Sequence, residues 1–383
     1  MENVEYLQAP VDGKEPRRVV VLNYSDLEQP NVDLSAAIEE AYGFNGLGIL
    51  AVRGVPNFMQ LRGELLPLIH KFATQPEEVK KKTEHLESSY SFGWSHGKEV
   101  LEGKPDFSKG SYYNNPVYDR PFDDEELIKK YPSFCHPNIW PEGMPEFRDG
   151  FMNMGKLLVD VGLLIAKQCD IFVKKQCPAF EEGKLERIVR ESRTAKGRAL
   201  HYFPIEEFTS DECGEKSCQS THDADVSSWC GWHNDHGSLT GLVPAMYMSK
   251  EGAEVTNPDS SSGLYIRARN GDLVKAVIPS EYMVFQIGET ACIHSGGYLQ
   301  ATPHCVRGAA GEKARGVSRE TMAVFMEPMW DESMTVPAGV EPDMATRGSG
   351  AQHLPKGVPP LATRWNETQD FGSFTTSTLS SYY

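Results

Sequence analysis

The sequence predicts a mainly β protein with flanking helices, its core an antiparallel sandwich or jelly roll preceded by a helix-containing N-terminal region. Three observations carry this. After about residue 196 the chain breaks into short β-branched and aromatic segments separated by turn residues, at 198–203, 241–248, 264–267, 274–278, 283–287 and 321–326. The dipeptide Asn270-Gly271 between two of them is a hairpin signal, because both residues tolerate the positive φ of a tight turn. Ahead of residue 196 the apolar period is helical instead. Phe147, Phe151, Met154, Leu158, Val161, Ile165 and Phe172 recur at three-, four- and seven-residue steps and define one long buried face.

Taken in order, Val19 to Leu22 is a β-branched run suited to a strand, and Asp33 is placed to cap a helix reaching Tyr42. Leu47 to Val52 reads as a second strand, closed by Gly54 and Pro56. A helix from about Phe58 to Thr74 follows, with Pro67 expected to kink or break it. Pro76 opens a short charged helix through Thr83. Residues 88–120, rich in Tyr, Gly, Ser and Asn, read as ordered loop, either lining a pocket or packing on the core. The long helix spans about Phe147 to Val173. Residues 209–228 and 249–262 are polar inserts, Pro337 to Gly357 reads as irregular, and the end from Asn366 as a helix or lid. The expected organisation is an N-terminal region 1–195, a core 196–330 and a C-terminal tail or lid 331–383, forming one compact unit.

With 383 residues the chain can bury a large core without disulfides. Its net charge of −16 repels phosphate backbones and anionic lipid heads, so nucleic acid and membrane are poor partners. Met1 to Pro10 lacks a basic-then-apolar leader pattern, and no apolar run approaches 18 residues, so a cytoplasmic protein is expected. The eight cysteines form no CxxC pair and read as free thiols. Oligomeric state has no signature in these residues.

The segment WHNDHGSLTGL places His233 and Asp235 two residues apart. On an extended strand i and i+2 share a side, so an imidazole and a carboxylate can converge on one metal. His304, in ATPHCVRG, is the candidate third ligand. Two histidines and one carboxylate on one face of a metal leave open positions, the pattern of non-haem iron(II) oxygenases. Arg319 and Thr321 open an apolar strand in SRETMAVFMEP. A guanidinium there needs a carboxylate, and Arg with Thr suits a ligand's carboxylate. Two protein partners are also open to Arg319, Glu289 and Glu327. His222-Asp223-Ala224-Asp225 is a competing ligand source, though its Ser/Asp-rich setting suits a solvated loop. His236 is expected to turn away from the metal. His96 and Lys98 are open to substrate contact or plain surface roles, and Cys305 reads as core filler.

The order H-x-D, P-H-x-V, then R-x-T before an apolar strand ending in Pro resembles the isopenicillin N synthase-like branch of the 2-oxoglutarate/Fe(II)-dependent dioxygenases. Ala41-Tyr42-Gly43, the strand Leu47 to Val52, Arg53-Gly54-Val55-Pro56 and Gln286-Ile287-Gly288-Glu289 add to the resemblance, which covers about residues 17 to 330. It implies a double-stranded β-helix core and a small-molecule substrate oxidised, most simply hydroxylated, with O2 and 2-oxoglutarate, giving succinate and CO2. It implies Fe(II) held by His233, Asp235 and His304, with 2-oxoglutarate met by Arg319, Thr321 and His201. The sequence departs from the family in three ways. His201-Tyr202-Phe203-Pro204 has Phe203 where a tyrosine hydroxyl often reaches 2-oxoglutarate. Cys305 rather than Arg follows His304, and the gap from His304 to Arg319 is long. Competing functions are an oxidase of this fold that does not use 2-oxoglutarate, a non-catalytic iron- or keto-acid-binding protein, and a zinc hydrolase on the same triad.

Overall fold

The computed structural model describes residues 5–9, 17–101, 104–204, 229–349 and 354–382. Its strands are β1 (Glu5–Ala9), β2 (Arg17–Asn23), β3 (Ile49–Arg53), β4 (Gly93–His96), β5 (Val100–Leu101), β6 (Lys104–Pro105), β7 (Lys109–Asn114), β8 (Lys196–Tyr202) and β9 (Cys230–His233). They continue with β10 (Leu239–Leu242), β11 (Met246–Met248), β12 (Glu254–Val255), β13 (Gly263–Arg267), β14 (Leu273–Lys275), β15 (Met283–Ile287), β16 (His304–Arg307) and β17 (Ser318–Met326). A major sheet runs β1-β2-β3-β15-β10-β17-β8-β7-β4, with β11 on β17 and β12 on β11. A minor sheet runs β14-β13-β16-β9. The two sheets face each other as the walls of a jelly roll, and the cavity between them holds the site.

The back of the major sheet is closed by helices Phe58–Ala73 and Pro145–Gln176. The long helix extends the apolar period two to three residues beyond each predicted end. Phe147, Phe151, Met154, Leu158 and Ile165 are fully buried along it, each contributing about 1.5–3 kcal/mol relative to exposure. Two glycines let it lie close. A Cβ on Gly155 would meet Pro116, and one on Gly162 would meet Met326 at 2.4 Å.

Several expectations need correction. Pro67 neither breaks nor ends its helix. The hydrogen bond it removes would have gone to the carbonyl of Gly63, which lies on the exposed side of the helix. Asp33 caps from one residue further out, accepting from Ser35 N at 3.1 Å. Residues 88–120 are not simply loop, because β4 and β7 extend the major sheet beyond β8. Their Gly and Ser content disguises a strand: a Cβ on Gly110 would meet the buried Trp94 ring at 2.1 Å. The run 241–248 is two strands, separated at Val243–Ala245 around Pro244, both pairing with β17. A short helix Pro342–Thr346 interrupts the tail, and the end forms the helix Phe371–Tyr382. The Asn270-Gly271 hairpin joins β13 to β14, with Gly271 at φ 83°. The insert 209–228, with the His222 to Asp225 cluster, lies outside the described residues.

Candidate active site

The site is built where two minor-sheet strands meet. β9 ends at His233 and β16 begins at His304, and the two residues stand directly opposite in the antiparallel pair. Their ring centroids are 4.3 Å apart. Since β9 ends at His233, Asp235 lies in the following turn rather than on the strand. The turn bends the carboxylate back, with Oδ1 3.8 Å from Nε2 of both histidines. The three ligand atoms all lie within 4.8 Å of one another.

Backbone bonds fix that turn. Glu289 N donates to Asp235 O at 2.8 Å, Gly288 N to Ser238 O at 3.0 Å, and Ser238 N to Met326 O at 3.0 Å. Gly288 passes so close that a Cβ there would stand 2.0 Å from Gly237 O and 3.2 Å from Asp235 O. Those are backbone atoms and cannot swing aside. Gly288→Ala is therefore expected to move the ligand turn, weaken metal binding and cost about 1–3 kcal/mol of stability. Metal titration beside a thermal melt checks this, and unchanged metal affinity would contradict it.

The histidine tautomers suit a metal. His233 Nδ1 donates to Gly231 O at 2.7 Å, and His304 Nδ1 faces Thr302 O at 3.4 Å. Each leaves Nε2 facing Asp235. Burial and then the charge of His233 push His304 down to about 4. Burial would also lower His233, but the neighbouring Cys230 and Asp235 outweigh it and raise His233 to about 9. One imidazole stays neutral while its neighbour holds a proton that a divalent ion would displace. Asp235 Oδ2 is buried without a hydrogen-bond partner among the described residues. A buried carboxylate oxygen left open beside the Nε2 atoms of two histidines is what a cation ligand set requires.

The second feature is a buried guanidinium. Arg319 is 9% exposed, and its Nε and Nη1 have no hydrogen-bond partner among the described residues. Neither carboxylate open to it from the sequence answers it. Glu289 pairs with Arg364, and Glu327 lies 3.7 Å from His236. Arg319 rests over the Tyr202 ring at 5.0 Å, and the two residues are direct cross-strand partners. Arg319, Thr321, Tyr202 and the metal triad all line one cavity of about 440 Å³.

Strand alternation corrects the remaining expectations. Arg198, Leu200 and Tyr202 of β8 face the cavity, so His201 and Phe203 face away. His201 is not a cavity residue. It contacts Glu320 at 2.9 Å on the opposite side of the sheet, where Glu320 also receives Ser318 Oγ at 2.7 Å and lies 3.4 Å from His70. That buried carboxylate is satisfied by its neighbours. Phe203 stacks on His96. One residue earlier, Tyr202 lines the cavity, its ring beneath the Arg319 guanidinium. Thr321 reaches the cavity but donates its hydroxyl proton to Val243 O at 2.5 Å. His236 stacks on Phe371. Lys98 pairs with Glu84 at 3.1 Å, and Cys305 is fully buried. Sequence reasoning missed Tyr202, Arg198 and the buried Arg364–Glu289 pair. The two-residue period of β8 against Arg319 was the signal for the first two.

No family model matches the sequence, and no curated protein does. Solved structures do match it in shape. One is a full-length Neurospora crassa protein in complex with alpha-KG, with 17% identity, a TM-score of 0.64, and 96% of this chain and 97% of that one covered. Another, from Caulobacter crescentus and described as of the 2OG-Fe(II) oxygenase family, has 17% identity and a TM-score of 0.65 over 95% and 99% of the two chains. JOX2 in complex with 2OG, Fe and JA has 15% identity and a TM-score of 0.57 over 94% and 89%. This chain has the fold of the 2OG-Fe(II) oxygenases.

Proposed function

We propose that this chain is an iron(II)- and 2-oxoglutarate-dependent dioxygenase that oxidises a small molecule. His233, Asp235 and His304 would hold the metal, and Arg319 the distal carboxylate of the keto acid. The observation that carries the reading is Arg319: a buried guanidinium with no carboxylate partner among the described residues, in the same cavity as a His-Asp-His set. Such a charge is costly unless a ligand anion answers it. Among the neighbours, the Neurospora crassa protein is solved with alpha-KG and JOX2 with 2OG and Fe, which supports the choice of anion and metal. Complexes of that Neurospora crassa protein with thymine and with 5-formyluracil support a small organic substrate.

Bound iron supplies dioxygen activation, with 2-oxoglutarate oxidised to succinate and CO2 as the substrate is oxidised. The chain's own part is placement. Arg319 offers two N–H groups to one end of the keto acid, and Tyr202 can donate its hydroxyl beside them. Leu200, Leu242, Val306, Ala323 and Phe325 make part of the walls apolar. Tyr202, lining the cavity beside Arg319, is the residue we propose in place of the hydroxyl that Phe203 lacks.

Incubating the purified chain with Fe(II), 2-oxoglutarate and air tests the proposal. Slow succinate formation that requires both iron and dioxygen is expected even without the substrate. A protein that binds iron but neither binds nor consumes 2-oxoglutarate would overturn the keto-acid assignment.

A further inference from the structure

The C-terminal segment reaches the ligand turn through a buried ion pair. Arg364 and Glu289 are 5% and 1% exposed. Arg364 Nη2 donates to both Glu289 oxygens, at 2.5 and 2.6 Å, and Nη1 donates to Thr378 Oγ1 on the last helix at 2.9 Å. Glu289 passes the contact on. Its Oε1 accepts from Asn234 Nδ2 at 2.9 Å, and its backbone N–H donates to Asp235 O at 2.8 Å. Asn234 sits between the two ligands His233 and Asp235. Next to it, the Phe371 ring lies nearly parallel to His236, at 11° and 5.7 Å. Two residues of the last segment thus lock the side chains on either side of Asp235.

Stability alone is a weak reason for this pair. Burying two charges costs several kcal/mol in desolvation, and apolar residues of similar volume often do as well or better. What the pair gives that apolar packing does not is direction. Arg364 Nη2 bridges both Glu289 oxygens while Nη1 is tied to Thr378, which pins the carboxylate with Oε1 toward Asn234.

We infer that Arg364 and Glu289 are positioning residues for the metal centre, coupling metal affinity to docking of residues 361–382. This inference rests on the metal reading proposed above. A supporting hydrogen bond of this kind is worth about 10- to 100-fold in metal affinity. Coupling is reciprocal, so metal binding must also tighten the last helix.

The test uses the full chain and cobalt(II) alone, followed by its visible d–d absorption without oxygen. Asn234→Ala and Arg364→Lys are each expected to weaken cobalt binding by about 10- to 100-fold. The double variant should be no weaker than the worse single one, because both changes cut one chain of contacts. Hydrogen exchange in 371–382 should slow when cobalt binds to the wild type, and not when it binds to Arg364→Lys. Multiplying losses in the double variant would overturn the coupling, as would wild-type affinity in both singles. Asn234→Ala keeps the test alive if Arg364→Lys folds poorly, because it leaves the ion pair intact. If the wild type takes up no cobalt at the triad, the proposed function fails, whereas normal uptake with unresponsive variants sinks only this inference.

Discussion

Arg319→Met is expected to separate ligand binding from metal binding. Keto-acid affinity should fall roughly 30- to 4,000-fold, the equivalent of the 2–5 kcal/mol lost when one member of a buried charge pair is truncated. Metal affinity should stay within a few fold, because Arg319 touches none of the three ligands. The same substitution should raise the thermal stability of the ligand-free protein. It removes a buried guanidinium whose Nε and Nη1 have no partner among the described residues, and it keeps the apolar stem. A more stable protein with lost affinity is the signature of a residue retained for function. Calorimetric titration with 2-oxoglutarate and a melt of the apo form check both signs. A fall in stability would mean that Arg319 has a structural partner.

Asp235→Ala should have the opposite pattern on the metal. It deletes the one anionic ligand and leaves two imidazoles whose rings already crowd each other at 4.3 Å. Metal affinity should fall well beyond the ~10- to 100-fold of a lost supporting contact. Keto-acid binding should fall with it, since the chelating end then has no ion to meet. Backbone bonds, rather than the carboxylate, hold the turn, so the variant should fold. Equilibrium dialysis against iron(II) under nitrogen measures the loss. Retained affinity would move the metal elsewhere.

Much of this was legible in the residues. His233, Asp235, His304 and Arg319 were readable because chemistry restricts which residue types serve a metal and an anion, and their order along the chain resembles a known family. The strand–helix texture was readable because apolar period differs between the two. The failures have physical causes. β4 and β7 were hidden because Gly110 and its neighbours are small to admit Trp94, so a packing device looked like loop composition. His201 and Phe203 were placed on the wrong side because a one-residue shift of register exchanges the faces of a strand. No spacing rule announces Arg364 and Glu289. Their pairing spans 75 residues and exists only after the last segment docks.

The most direct test is an anomalous-scattering map of crystals grown with manganese(II) or iron(II). The account predicts one peak at bonding distance, roughly 2.0–2.2 Å, from His233 Nε2, Asp235 Oδ1 and His304 Nε2 together. A peak elsewhere, or the triad empty at saturating metal, would contradict it.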